Sequence, residues 1–451
     1  MHLNIKFSNI HKKYIKHILL LISVLGFLLT GGCSNPVKNE VNRPEVQWNG
    51  KTVTSEEIVS DTIVTCTGDI VINNGGSLTI DNVLLYMKDS AYGIYVEPGG
   101  ELLINNNSKI TVENPETEHY EFWYKHGSSG QILNSTVEYT WTPDPGGKSQ
   151  FNEAGIFIEA DNFEMRNSTI QHSLGNGIEA YQADSLNIVD SEFLENGANG
   201  ILVRNSTGLS LTGCTISNNG KDTERHDGCG LIVLVVTGSI ESCTIESNRF
   251  TGFEGSGDMN LNISNCNIKN NSDFGIFIHD EFSSSLVEIA SNTVENNANI
   301  SQIHAGISVE GGVKAYVHDN ILDQNYTGIR VLNNTPTSNF EYNEIHNSGT
   351  WGIHVDNSSP VFYHNQVSGC NWVAFVQEEN GTPHPNFGDT TVEKSGYNDF
   401  SNNNNGIRND STVELKAENN YWGSTEGNII DLYNFSDDTP IDYDPWLSSQ
   451  P

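Results

Sequence analysis

A small residue followed by alternating apolar residues returns along this chain at a nearly fixed interval, and that recurrence limits the fold more than any other feature. It appears as Gly155-Ile-Phe-Ile, Gly177-Ile-Glu-Ala, Gly200-Ile-Leu-Val, Gly230-Leu-Ile-Val, Gly252-Phe-Glu-Gly and Gly275-Ile-Phe-Ile. It continues at Gly306-Ile-Ser-Val, Gly328-Ile-Arg-Val, Gly352-Ile-His-Val, a degenerate Ala374-Phe-Val and Gly406-Ile-Arg-Asn. The spacings are 22, 23, 30, 22, 23, 31, 22, 24, 22 and 32 residues. The short value is one structural unit, and the long ones carry insertions of roughly 8 to 10 residues.

A second column falls about 14 residues after most of these glycines. Its members are Asn82, Ser108, Ser135, Ser168, Ser191, Cys214, Cys243, Cys266, Asn292, Asn320, Asn343, Asn365 and Asn398, each followed two positions on by an aliphatic residue or Phe in most units. A third column stands five positions further on: Asn196, Asn219, Asn248, Asn271, Asn297 and Asn325, with Ser173 before it and Ser348 and Cys370 after it. Alternation of apolar residues makes half-buried strands. Stacking like coils at strand spacing sets like residues above one another, so side-chain amides hydrogen-bond along the stack and satisfy turn backbone. Glycine ahead of each strand is expected to serve a tight bend with positive φ. A propeller or a leucine-rich array needs a period of 40 or more, or Leu columns. Neither fits. The expected fold is all-β, a parallel β-solenoid of about 13–14 coils and on the order of 65 Å long at strand spacing.

The closing segment adds a motif. Glu418-Asn-Asn-Tyr-Trp-Gly-Ser424, then Asp442-Tyr-Asp-Pro-Trp-Leu447, resembles the N-N-x-W-G … D-Y-x-P-W-L tail of many secreted β-helix proteins. With the repeats, from about Gly68 onward, the chain is similar to the right-handed parallel β-helix proteins of the pectin-lyase-like fold. The resemblance implies a last coil at Asn419, Asn420, Tyr421, Trp422 and Gly423, with Pro445, Trp446 and Leu447 over the open end of the core. It specifies a fold and not an activity.

Residues 1–32 read as an export signal. Lys12, Lys13 and Lys16 precede a largely apolar run from Ile18 to Leu29, too short to span a bilayer comfortably. The run ends in Leu29-Thr30-Gly31-Gly32-Cys33-Ser34, which resembles a lipoprotein cleavage box with Cys33 as the lipidated residue; Thr30 stands where such boxes usually carry an aliphatic residue. Residues 33–60 follow as tether and lead-in, 61–447 as the β-helix and 448–451 as a tail. The expected location is outside the cytoplasm, lipid-anchored to the cell membrane or surface. Without the first 32 residues the chain holds 18 basic against 57 acidic residues. Such a surface repels nucleic acid, whose recognition needs a basic stripe. A monomer is expected.

Chemistry is harder to locate. Cys214, Cys243 and Cys266 share one column on three neighbouring coils. They read as stacked small buried residues standing in for Ser or Asn, with a disulfide between neighbours and a soft-metal site as alternatives. A copper-maturation β-helix is disfavoured by four Met and the lack of a His/Met/Cys cluster. The two longest insertions before a glycine strand, Gly220–Cys229 and Ala298–Ala305, leave one corner of the rod three coils apart, about 14 Å by strand spacing. They would wall a strand face whose outward positions include Glu254, Phe277, His279, Ser308 and Glu310, with Arg330, His354 and Asp356 further along.

On that floor the catalytic candidates are His279, Glu254 and Glu310, with His226 overhanging. Substrate-binding candidates are Lys221, Arg225, Phe277, His304, Arg330 and His354. A polysaccharide lyase needs a base beside a uronate whose charge is neutralised by Ca²⁺ or Arg, and a hydrolase needs spaced carboxylates. Ca²⁺ is the only cofactor such chemistry would bring, with Asp222 and Asp227 as metal candidates. Phe277 could serve as a sugar platform. Yet neither the Asn-Thr-Asp, Asp-Asp and Gly-His-Gly set of polygalacturonases nor the paired Arg motif of pectate lyases is found. Trp123, Tyr124 and Trp141, in a wider early coil, are read as covering the N-terminal end of the core or stacking on sugar, and Gln377–Gly396 as a decorating loop. Two functions stand: a surface protein that binds or processes extracellular polysaccharide or envelope glycan, as lyase or hydrolase, or a non-enzymatic structural or adhesin rod.

Overall fold

A computed structural model of the protein describes residues 43–143, 145–148, 154–224, 228–280, 285–298, 304–335, 337–378, 384–423, 433–434 and 441–451. The chain divides into Met1–Pro44 and Glu45–Pro451. The second unit carries the fold; the export signal and Cys33 lie outside the described residues.

Among the described residues there is no helix, and every strand pairing in the coils is parallel. Each coil contributes up to three strands. The first is led by the repeating glycine, as in Ile178–Tyr181, Phe253–Ser256, Ile276–Asp280, Ile307–Gly311, Thr327–Leu332 and Trp351–Asp356. A second follows in what we term the middle sheet, as in Asn260–Ser264, Leu286–Ala290, Lys314–His318 and Val361–Tyr363. The third begins just after the Ser/Cys/Asn column and forms a sheet of fourteen strands from Glu45–Trp48 to Gln366–Ser368. This is the parallel β-helix of about fourteen turns that the period predicts. Pairing starts at Glu45 with Ile63, inside the segment assigned to tether and lead-in.

The columns behave as buried hydrogen-bonded ladders. Asn248 donates its backbone N–H and Nδ2 to Asn271 Oδ1 at 3.0 Å each, and Nδ2 also donates to Ile216 O at 3.1 Å. The same pattern links Asn196, Asn219, Asn271, Asn297 and Asn325, and a second ladder links Asn292, Asn320, Asn343, Asn365, Asn398 and Asn420. Cys214, Cys243 and Cys266 are free, buried thiols below that second ladder. Each Sγ donates to the carbonyls of Thr212, Glu241 and Ser264 respectively, as Ser168 Oγ does to Arg166 O. Cysteine here replaces serine in a structural role.

Four sequence readings need correction. The repeating glycines are not at positive φ: none from Gly155 to Gly352 in that column has one. They are required by close approach, since a Cβ on Gly200 would lie 2.5 Å from Ile216 Cγ2, 2.7 Å from Gly230 O and 2.8 Å from Asn219 Nδ2. The ladder member in the coil of Asn82 is Val83, whose N–H donates to Ser108 Oγ at 3.1 Å, while Asn82 takes the left-handed corner before it. Trp123, Tyr124 and Trp141 do not cap the core, because strands from Glu45 to Val112 precede them. Tyr124 is interior and Trp123 faces out. Finally, Gln377–Gly396 is not all decoration: Asn386–Gly388 is a strand, and Phe387 stacks in the core on Phe362 at 4.9 Å, which stacks on Phe340 at 5.1 Å. Flanking prolines hid that strand.

The predicted C-terminal cover holds. Trp422 is buried in the core, and Tyr443 and Trp446 pack against it. Leu447 N–H donates to Asn420 O at 2.9 Å.

Candidate functional site

In each glycine-led strand the residue after the first apolar one points out of the rod, so its register partners form rows along the outer face. One row runs Ile232, Glu254, Phe277, Ser308, Arg330, His354 and Phe375; the next runs Leu234, Ser256, His279, Glu310, Leu332 and Asp356. These are the outward positions the repeat predicts.

Three of the four catalytic candidates converge there. His279 Nε2 lies 3.3 Å from Glu254 Oε1. His279 and Glu310 are Cα partners on adjacent strands and share a depression of about 210 Å³ with Asp280, Gly311, Leu332 and Asn333. Glu310 accepts from Ser308 Oγ at 3.0 Å and pairs with Arg330 Nη1, so a buried hydroxyl and a guanidinium fix the orientation of its carboxylate. His226, the fourth candidate, lies outside the described residues together with Arg225 and Asp227.

Aromatic rings brace this cluster. Phe277 stacks on His279 at 4.4 Å and on Phe274 at 4.5 Å, and Phe274 meets His304 at 4.8 Å. Thus Phe277 has both neighbours stacked on it, and its ring is a spacer more than an open platform. His304 Nδ1 lies 3.4 Å from Asp273 Oδ1. Burial raises the Asp273 carboxyl and lowers the His304 imidazole, each partly countered by the partner's charge. Asp273 was not singled out in the sequence, because it sits in a turn and outside the alternating pattern.

Some outward positions are covered. Ser308 is fully buried, and Arg330, His354 and Asp356 are below a tenth exposed. His354 stacks on Phe375 at 5.1 Å, neither ring nitrogen has a hydrogen-bond partner, and burial beside the Arg330 charge lowers it to about 4. It is a neutral, walled-in imidazole, not a surface ligand. Lys221 is exposed at the start of its insertion, which Arg249 holds by donating to Asp222 O at 2.8 Å and Thr223 O at 3.2 Å. Asp222 Oδ1 accepts from Glu224 N–H at 3.0 Å. Among the described residues no three His, Cys, Asp or Glu side chains gather as a cation site.

The same face carries a second polar group that the sequence reading missed. Arg204 binds buried Glu179 through Nε at 3.0 Å and lies over the Tyr181 ring at 4.7 Å. Lys148 reaches Glu159 at 2.7 Å, and Trp123 Nε1 donates to Glu159 at 3.0 Å with Lys125 over its ring at 4.8 Å. The signal was present in the outward row, but only folding of the Lys148 segment onto the face brings it together.

The description "right handed beta helix region" matches residues 154–303 and 290–422. The chain belongs to this family. No curated protein matches the sequence. Among solved structures, this β-helix is similar to a periplasmic alginate epimerase, AlgG, at 13% identity over 86% of this chain and 78% of that one, with a TM-score of 0.34. It is similar to the Dettilon tailspike protein at 10% identity over 81% and 62% of the two chains, TM-score 0.31. A thermostable α-1,3-glucanase catalytic unit from Streptomyces thermodiastaticus is 10% identical over 90% and 66%, TM-score 0.28. Likeness this loose leaves function to be argued from the residues of this chain.

Proposed function

We propose that the glycine-led face of this β-helix binds an extended extracellular polysaccharide and acts on it through the Glu254–His279 pair. One observation carries the reading: a half-buried acid–imidazole pair at 3.3 Å, beside a covered arginine–carboxylate pair, on the glycine-led face that repeats along the rod. Glu254 orients the imidazole, so His279 is set to take a proton from a sugar carbon or hydroxyl. Arg330, covered and paired with Glu310, would meet an acidic sugar only once Glu310 releases it. We further read residues 1–32 as an export signal and Cys33 as a lipid anchor, which puts a monomeric rod outside the cytoplasm where such polymers are found.

The test is a panel of uronans and neutral glycans, read by reducing ends and by the absorbance of unsaturated uronate, with and without Ca²⁺. Added Ca²⁺ asks whether Asp222 and Asp227 recruit it. His279→Ala is expected to lower turnover about 10²- to 10⁴-fold, with Glu254→Gln intermediate. Full activity in His279→Ala refutes the assignment. A second reading, a structural or adhesin rod, is favoured by the pairing of Arg330 and Arg204 with carboxylates of the chain itself. Silence on every polymer supports it.

A further inference from the structure

The corner before the second ladder is left-handed on coil after coil. Small or turn-forming residues fill it at Asn134, Asn167, Asp190, Gly213, Asn265 and Asn419, with φ between 47° and 67°. Three consecutive coils depart from this. Tyr342, His364 and Tyr397 hold φ of 54°, 55° and 56°, a region that histidine tolerates but that strains a bulkier side chain such as tyrosine. Their rings stack, Tyr342 on His364 at 5.1 Å and 9°, His364 on Tyr397 at 5.4 Å and 15°. Tyr363 stands nearly perpendicular to His364 at 4.4 Å. Tyr342 and Tyr397 are nonetheless 47% and 41% exposed.

The stack is one wall of a groove of about 470 Å³. Glu344, Gln366 and Asp399 lie along it, Asp319 is at one end, and Gln450 and Pro451 form the other wall, with Gln450 Nε2 donating to Asp399 Oδ2 at 2.9 Å. Among the described residues no lysine or arginine lines it. It opens between the middle sheet and the fourteen-stranded sheet, away from the Glu254–His279 face and independent of its function.

We propose that this groove is a second glycan site, for an uncharged or amine-bearing sugar chain lying along the rod. Three rings repeat at strand spacing, about 4.8 Å, close to the length of one pyranose. Tyr342 and Tyr397 pair exposed carbon surface for sugar C–H groups with a hydroxyl for hydrogen bonding, and His364, stacked between them, sets their spacing. The carboxylates and amides accept from and donate to sugar hydroxyls, and the acidic lining attracts an ammonium and repels a uronate. Backbone strain kept at the two tyrosine corners on either side of His364, where asparagine would fit without it, is the pattern of a site and not of a brace.

The test uses the full chain, titrated calorimetrically with a neutral β-linked glucan hexamer, a glucosamine hexamer and a uronate hexamer. The neutral and amine-bearing chains are expected to bind in this groove, and any uronate binding, being that of the Glu254–His279 face, is expected to be the same in wild type and in the groove variant. In the triple variant Tyr342→Asn, His364→Asn, Tyr397→Asn, which installs the residue used at other corners, affinity falls about tenfold or more while Tm holds or rises. Glu344→Gln leaves the rings in place and weakens the glucosamine hexamer about two- to fivefold, more than it weakens the glucan. The proposal is overturned if wild type binds neither chain, if the triple variant loses uronate binding along with the others, or if the triple variant binds as wild type does. It is equally overturned if the triple variant loses several degrees of Tm, or if Glu344→Gln leaves the glucosamine affinity intact.

Discussion

Replacing Asn271 by alanine should open two neighbouring coils without unfolding the rod. Asn271 is 1% exposed. Its Oδ1 accepts from Asn248 N–H and from Asn248 Nδ2, both at 3.0 Å, and its Nδ2 donates to Ile245 O at 3.0 Å. Alanine leaves one buried backbone N–H and one buried carbonyl without partners. Each costs roughly 1–3 kcal/mol, so the expected loss is about 4 kcal/mol, near the middle of the summed range. Coils of a solenoid contact mainly their neighbours, so the loss stays local. Native-state hydrogen exchange should then show protection at the Asn248 amide falling by about three decades, while coils beyond Asn325 exchange as before. Asn271→Ser should recover part of it, since Ser173 and Ser348 occupy the same column. An Asn248 amide that keeps its wild-type protection, with an unchanged urea midpoint, would refute the ladder as a source of stability.

The His354 imidazole, lowered to about 4 by burial and by Arg330, gives a signed pH effect. Above about pH 6.5 both folded and unfolded forms are neutral and it contributes nothing; as pH falls toward 4 only the unfolded chain takes the proton, and stability drops by about 3 kcal/mol. His354→Phe should remove that part of the acid limb in urea titrations at pH 4 to 7, and an identical acid limb in wild type and variant would sink the assignment. In the thiol column, the contact with Cys214 is the main cause pushing Cys243 up to about 12 and the contact with Cys243 is the main cause raising Cys266, while the Cys243 thiol lowers Cys214. Native protein at pH 8 should therefore resist alkylation at Cys243 and Cys266, and at Cys214 through burial alone, and Cys243→Ser should cost less than about 1.5 kcal/mol in Tm analysis; rapid labelling of folded protein would contradict a buried structural column.

Much of the fold was legible because a solenoid turns sequence period directly into contact. Residues one coil apart become neighbours, so Asn219, Asn248 and Asn271 could be paired before any coordinates, and Glu254, His279 and Glu310 could be set on one face. Phase errors were of one residue, as with Asn82 for Val83, where the corner and the ladder position both favour small polar groups. Asn386–Gly388 was missed because the period is broken there by an insertion rich in proline.

The sequence alone therefore determined the coil: its length, its inward residues and the columns that must stack, since those follow from alternation and repetition. The tertiary structure alone decided what happens on the outside. Whether Arg330 meets Glu310, whether Ser308 and His354 are covered, and whether Tyr342, His364 and Tyr397 stack at a left-handed corner depend on side-chain length, on neighbouring rings and on how each insertion folds back. Those contacts have no period, and only the packed surface sets them.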